Sequence, residues 1–190
     1  MTETAYKWRV RSRDQVADCR VFNVTKRNSV DENGREGTFY VIEAPDWINV
    51  IPVTKDGDII LIKQFRHGTE EFTLEIPGGM VDEGESAQET ASRELTEETG
   101  FVAGKMVYLG SSRPNPAIQS NTLHHFAALD CVESGEQAFD EHESIAVRRV
   151  SSHELDALIE SGDIDHSLVL AGLLKFREFA SKERTYSYES

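Results

Sequence analysis

Residues 78–101 read Gly78-Gly79-Met80-Val81-Asp82-Glu83-Gly84-Glu85-Ser86-Ala87-Gln88-Glu89-Thr90-Ala91-Ser92-Arg93-Glu94-Leu95-Thr96-Glu97-Glu98-Thr99-Gly100-Phe101, and the spacing inside this stretch sets the reading of the rest. Five residues separate Gly79 from Glu85, and seven more lead to Arg93-Glu94. Glu94 and Glu98 lie one helical turn apart with Glu97 beside them, so one helix edge carries three carboxylates. Like charges at this spacing repel by roughly 0.2–0.5 kcal/mol per pair. A hard divalent cation offsets that repulsion, because Mg²⁺ or Mn²⁺ takes oxygen ligands from a few carboxylates together with substrate phosphates.

A solvated face is the ordinary reading of a Glu-rich helix, and the flanks argue against it here. Ser86-Ala87-Gln88-Glu89 reads as a capping box that starts the helix. Gly100 supplies the left-handed residue that stops it, with Phe101 folding back onto the last turn. Arg93 lies four residues after Glu89 and four before Glu97, so it can neutralise one acid locally. Gly78-Gly79 lets the backbone approach a ligand closely. From Gly79 to Phe101 the segment matches every defined position of the Nudix hydrolase signature, G-x5-E-x7-R-E-U-x-E-E-x-G-U with U apolar, nine fixed positions over 23 residues.

Composition narrows the partners. A chain of 190 residues is long enough for one domain, with or without a small appendage, and can bury a core without staples. A formal net charge of −14 and a pI near 4.8 argue against nucleic acid and anionic membranes as partners. An acidic surface also repels polyphosphates, so a phosphate substrate needs a metal and a few placed cations. Cys19 and Cys131 lie far apart without metal-ligand spacing, which suits a reducing compartment. The start, MTETAYKWRV, carries no apolar leader-like run, and no stretch is long enough for a membrane span, so a cytoplasmic location is expected.

In chain order, residues 5–45 read as a small β unit with short strands at Trp8–Val10, Cys19–Val24 and Thr38–Ile42, and a turn region over Asn28–Gly37. Trp47–Val53 and Ile59–Arg66 flank an Asp56-Gly57 hairpin signal. Phe72–Pro77 leads into the acidic helix. Strands follow at Met106–Leu109, Thr122–Leu129 and Ser144–Val150, separated by a Pro- and Asn-rich loop (Ser111–Ser120) and an acidic loop (Glu133–Glu143). Ser151–Ser161 reads as a capped helix and Ser167–Ala180 as a closing one, with a polar tail over 181–190. The pattern implies an α/β fold: a mixed sheet between helices (residues 46–180), preceded by a small N-terminal antiparallel β lobe (1–45), which reads either as a decorated edge of the main sheet or, as the family resemblance suggests, as a lobe for dimerisation and base binding.

Beyond the signature, residues 38–178 resemble the ADP-ribose pyrophosphatase and nucleoside-diphosphate-sugar hydrolase branch of that family. The carriers are Gln64-Phe65-Arg66, Glu75-Ile76-Pro77-Gly78-Gly79, Pro116 some fifteen residues past the signature, and Asp140–Ile145. Where that branch carries a Pro-Ser-Pro-Gly-like loop, this chain has Arg113-Pro114-Asn115-Pro116-Ala117-Ile118-Gln119-Ser120-Asn121, which bears on sugar specificity.

The resemblance implies Mg²⁺, with Mn²⁺ an alternative, held by Glu94 and Glu98, by Glu97 as ligand or second acceptor, and by the Gly78 carbonyl. Glu85 and Arg93 pair to hold loop against helix, counted with Glu97 among the catalytic residues. Glu141 matches the loop base that activates water, with Glu143 the alternative. Arg66 is expected to contact phosphate or ribose, oriented by Glu75, while Phe39 and Tyr40 are candidates to stack on a base and Asn115 and Pro116 to line the substrate. The implied protein is a homodimer cleaving nucleotide sugars, ADP-ribose foremost. Hydrolysis of nucleoside triphosphates or capped RNA ends is the enzymatic alternative. A catalytically silent nucleotide sensor is the non-enzymatic one, and it would be expected to have lost acids that are all present here.

Overall fold

The computed structural model describes residues 5–134, 137 and 144–186, which divide into two compact units. The first joins residues 1–45 to residues 113–122, and the second comprises 46–112 and 123–190.

The first unit is a three-stranded antiparallel sheet in the order β1 (Trp8–Asp18), β2 (Asn23–Asp31), β3 (Glu36–Glu43). Its strands run much further than the apolar runs suggested, and the second is displaced: Cys19–Phe22 forms a turn instead of a strand start, and Asn28–Asp31 pairs instead of turning. The physical reason lies in exposure. Most of β1 is exposed, so Arg11, Ser12, Arg13 and Asp14 extend the strand without any apolar alternation to reveal it. The turn that does form is short, with Asp31 accepting backbone N–H bonds from Asn33 and Arg35 while Gly34 takes φ 80°. The loop 113–122 joins this unit through the edge of β3. Ile42 donates to the Ile118 carbonyl at 2.8 Å and accepts from Ser120 N–H at 3.2 Å.

The second unit is an eight-stranded mixed sheet with helices on both faces, as the sequence implied. β4 (Trp47–Thr54) lies between antiparallel β5 (Ile59–Arg66) and parallel β10 (Leu123–Glu133). β6 (Glu71–Glu75) pairs with β5 and β7 (Gly78–Met80) with β4. β8 (Phe101–Val102) and β9 (Lys105–Ser112) pair with β10, and β11 (Ala146–Val150) with β5. Because β4 is covered on both faces it reads as an apolar run interrupted by Asn49 and closed by Thr54. Ile48 and Val50 pack with Ala91 and Leu95 of helix α1 (Ala87–Thr99) and with Phe126 and Ala128. On the opposite face Ile51 packs with Leu155 and Leu158 of α2 (Ser152–Ser161) and with Val169 and Leu173 of α3 (Ser167–Tyr186). α3 therefore continues past Ala180, where the apolar spacing had ended. No helix among the described residues is long and apolar enough to cross a membrane.

Candidate active site

The acidic helix is built by local signals. Ser86 accepts from the Glu89 N–H while the Glu89 carboxylate accepts from the Ser86 N–H, closing the capping box, and Gly100 ends the helix at φ 74°. Ala91 and Leu95 turn to the sheet and are buried. Burying that stripe leaves Arg93, Glu94 and Glu97 on the neighbouring edge.

β7 meets that edge. Gly78 and Gly79 pair with Asn49 and Ile48 of β4. The Gly78 N–H donates to Glu98 Oε2 at 2.9 Å, and Glu98 is only 3 % exposed. A Cβ on Gly79 would fall 2.2 Å from Glu94 Oε1, so only glycine leaves that carboxylate its place. Gly79→Ala should therefore spare the fold, since the colliding atoms end a flexible side chain, but should displace Glu94. The expected result is a melting temperature within a few degrees of wild type with a clear loss of divalent-cation affinity; unchanged affinity would count against a role for Glu94.

Arg93 is the hub. Its guanidinium lies within 4 Å of Glu85 (3.1 Å), Glu94 (2.9 Å), Glu97 (2.9 Å) and Asp82 (3.6 Å). These acids raise the Arg93 pKa far above its already high value, Glu85 foremost. Hydrogen bonds from Arg93 and then Thr90 hold the Glu85 carboxyl below the usual carboxylate range. Thr90, absent from the sequence reading, donates to Glu85 at 2.8 Å. Gln137, from the acidic loop, was missed likewise and donates to the Glu98 carbonyl at 2.6 Å.

The donors fit a divalent cation. All are hard oxygens, Glu94 has a glycine cradle, and Glu98 is anchored by a backbone amide. Among the described residues no three acids, histidines or cysteines are gathered into a ready cage.

Arg66 forms a two-pronged pair with Glu75, Nε to Oε1 and Nη2 to Oε2, both 2.7 Å, and Thr73 adds a third donor. Burial alone would raise the Glu75 carboxyl, but Arg66 and Thr73 outweigh it and hold it low. Phe39 and Tyr40 lie exposed on β3 in the first unit, Phe39 edge-on to Trp8 at 5.2 Å. Asn115 and Pro116 are exposed in the loop of that same unit, where the Asn115 carbonyl accepts from Ile118 and Gln119 N–H. Glu141 and Glu143 lie outside the described residues.

His124 and His125 point to opposite faces. His124 lies 3.2 Å from the Asp46 carboxylate and 3.3 Å from the Tyr108 hydroxyl. His125 is fully buried, its Nδ1 2.8 Å from Asn49 Oδ1 and its Nε2 2.8 Å from Ser112 Oγ. Burial first, then the neighbouring Lys175, pushes the His125 pKa down to about 4. An unfolded histidine binds its proton near pH 6.5, so between pH 6.5 and 4 the unfolded chain holds a proton the folded one lacks. Stability should fall by about 3 kcal/mol across that window as pH drops, and Glu75 adds loss in the same direction at lower pH. Urea unfolding of wild type and His125→Gln should show this dependence flattened in the variant.

Residues 45–172 match the model of the NUDIX domain. The chain belongs to the Nudix hydrolase family, whose members generally use divalent metal ions. It is 30% identical to the ADP-ribose pyrophosphatase of Bacillus subtilis over 80% of this chain and 83% of that protein. It is 28% identical to the ADP compounds hydrolase NudE of Escherichia coli, over 94% and 96% of the two chains. A crystal structure of an ADP compounds hydrolase superposes with TM-score 0.84 at 26% identity, covering 96% of this chain and 98% of that one.

Proposed function

We propose that the protein hydrolyses the diphosphate of ADP-sugars, ADP-ribose foremost, to AMP and ribose 5-phosphate. The observation that carries this is that relatives named for ADP-ribose and ADP compounds match over most of both chains. Glu94 and Glu98 are assigned as ligands of Mg²⁺, for which Mn²⁺ can substitute, with Glu97 and the Gly78 carbonyl completing the set. When bound, the cation neutralises charge developing on the diphosphate oxygens. Arg93 and Glu85 hold the loop against the helix. Glu141 takes the proton of the water that adds to one phosphorus as the bridging P–O bond breaks. Arg66, held flat by Glu75, presents its guanidinium to phosphate or ribose. Phe39, Tyr40, Asn115 and Pro116 are assigned to the nucleoside and sugar.

A homodimer is part of this reading, and the long exposure of β1 supports it. A cytoplasmic location suits Cys19 and Cys131, both free thiols. The test is turnover with Mg²⁺ on ADP-ribose, ADP-glucose, GDP-mannose, NADH, diadenosine polyphosphates and nucleoside triphosphates. The highest kcat/KM is expected on ADP-ribose; cleavage of triphosphates alone would overturn the assignment.

A further inference from the structure

Asn49 lies at the centre of a buried polar chain that the roles assigned above leave unused. Its Nδ2 donates to the Leu168 carbonyl of α3 at 2.9 Å, and its Oδ1 faces His125 Nδ1. An amide oxygen only accepts, so His125 Nδ1 carries the proton, and Nε2 of the neutral ring accepts from the Ser112 hydroxyl. Four elements, β4, β9, β10 and α3, are joined by these bonds.

Two glycines enclose Asn49. A Cβ on Gly172 of α3 would fall 2.9 Å from Asn49 Nδ2. A Cβ on Gly78 would fall 3.4 Å from Asn49 Cα and 2.7 Å from the Ile48 carbonyl oxygen. Gly78 therefore rests directly against the residue that the polar chain holds, and it is Gly78 whose N–H binds Glu98. The connected path runs from α3 through Asn49 to Gly78 and on to the Glu98 carboxylate.

We infer that Asn49 and His125 are positioning residues for the cation site, setting the height of Gly78 and thereby the orientation of Glu98. The inference rests on Glu98 being a cation ligand. Partners behind metal ligands typically change affinity or activity 10–100-fold. A purely structural network would lower the melting temperature and leave cation affinity alone.

The experiment is Mn²⁺ binding by electron paramagnetic resonance on full-length protein, with melting temperatures measured alongside. Asn49→Leu and His125→Leu should weaken Mn²⁺ binding by about tenfold or more. His125→Gln, whose amide can donate to Asn49 and accept from Ser112, should stay within about threefold of wild type. Arg149→Ala is the control for lost stability, because Arg149 clamps Asp56 and Asp58 of the β4–β5 turn, and it should bind Mn²⁺ normally. Ser112→Ala, which removes a single donor, keeps the test open if the leucine variants do not fold, and it too should weaken binding. Folded variants that melt lower yet bind Mn²⁺ like wild type would overturn the inference. Wild type failing to bind Mn²⁺ would instead overturn the cation reading on which it rests.

Discussion

Glu98→Gln should lower kcat on ADP-ribose by on the order of 10³ while leaving the fold intact, because the charge is lost and the shape is kept. A metal typically supplies several kcal/mol of transition-state stabilisation, and each 1.36 kcal/mol is tenfold in rate. The amide oxygen of the substituted side chain can still accept the Gly78 N–H that Glu98 binds at 2.9 Å, so β7 should stay against the helix. The measurements are kcat at saturating Mg²⁺, the Mn²⁺ dissociation constant and the melting temperature. Near-normal turnover with normal Mn²⁺ binding would remove Glu98 from the ligand set.

The second large effect concerns the base. Glu85, Glu94 and Glu97 all pair with Arg93, so their oxygens are already engaged by its guanidinium, and Arg93 and Thr90 hold the Glu85 carboxyl below the usual carboxylate range. That leaves the base to a residue outside the hub, and Glu141 in the acidic loop is the residue proposed for it. Glu141→Gln should reduce kcat by ~10²–10⁴ with Mn²⁺ affinity unchanged, and the acid limb of the pH–rate profile should disappear. Near-normal turnover in Glu141→Gln would sink the assignment, and Glu143→Gln would be the next variant.

The catalytic helix was legible because its signals are local. Ser86, Glu89 and Gly100 fix its ends within a few residues of themselves, and the Arg93–Glu97 pair needs only helical spacing. The order of strands around one central and one closing helix likewise pointed to a mixed sheet between helices, and both faces are indeed covered. In the first unit the strands were misjudged where side chains face water. Arg11 to Asp14 look like loop residues until β2 is seen beside them. Asn49, Ser112 and His125 are separated by tens of residues or held by different strands, and have no mutual spacing to read. Their roles follow from pairing β4 with β10 in parallel, a long-range event that no local pattern encodes.

The attachment of residues 113–122 to β3 carries a consequence for synthesis on the ribosome. Strands β1, β2 and β3 are complete once Glu43 has emerged, yet the outer edge of β3 at Ile42 finds its partners only in Ile118 and Ser120. At usual elongation rates of ~5–20 residues per second, the intervening synthesis takes roughly 4–15 s. For that interval the nascent sheet shows an unpaired edge, the kind of surface that recruits foreign strands. Glu36 and Glu43 stand on β3 itself, and charged side chains on an edge strand are a common device against such pairing.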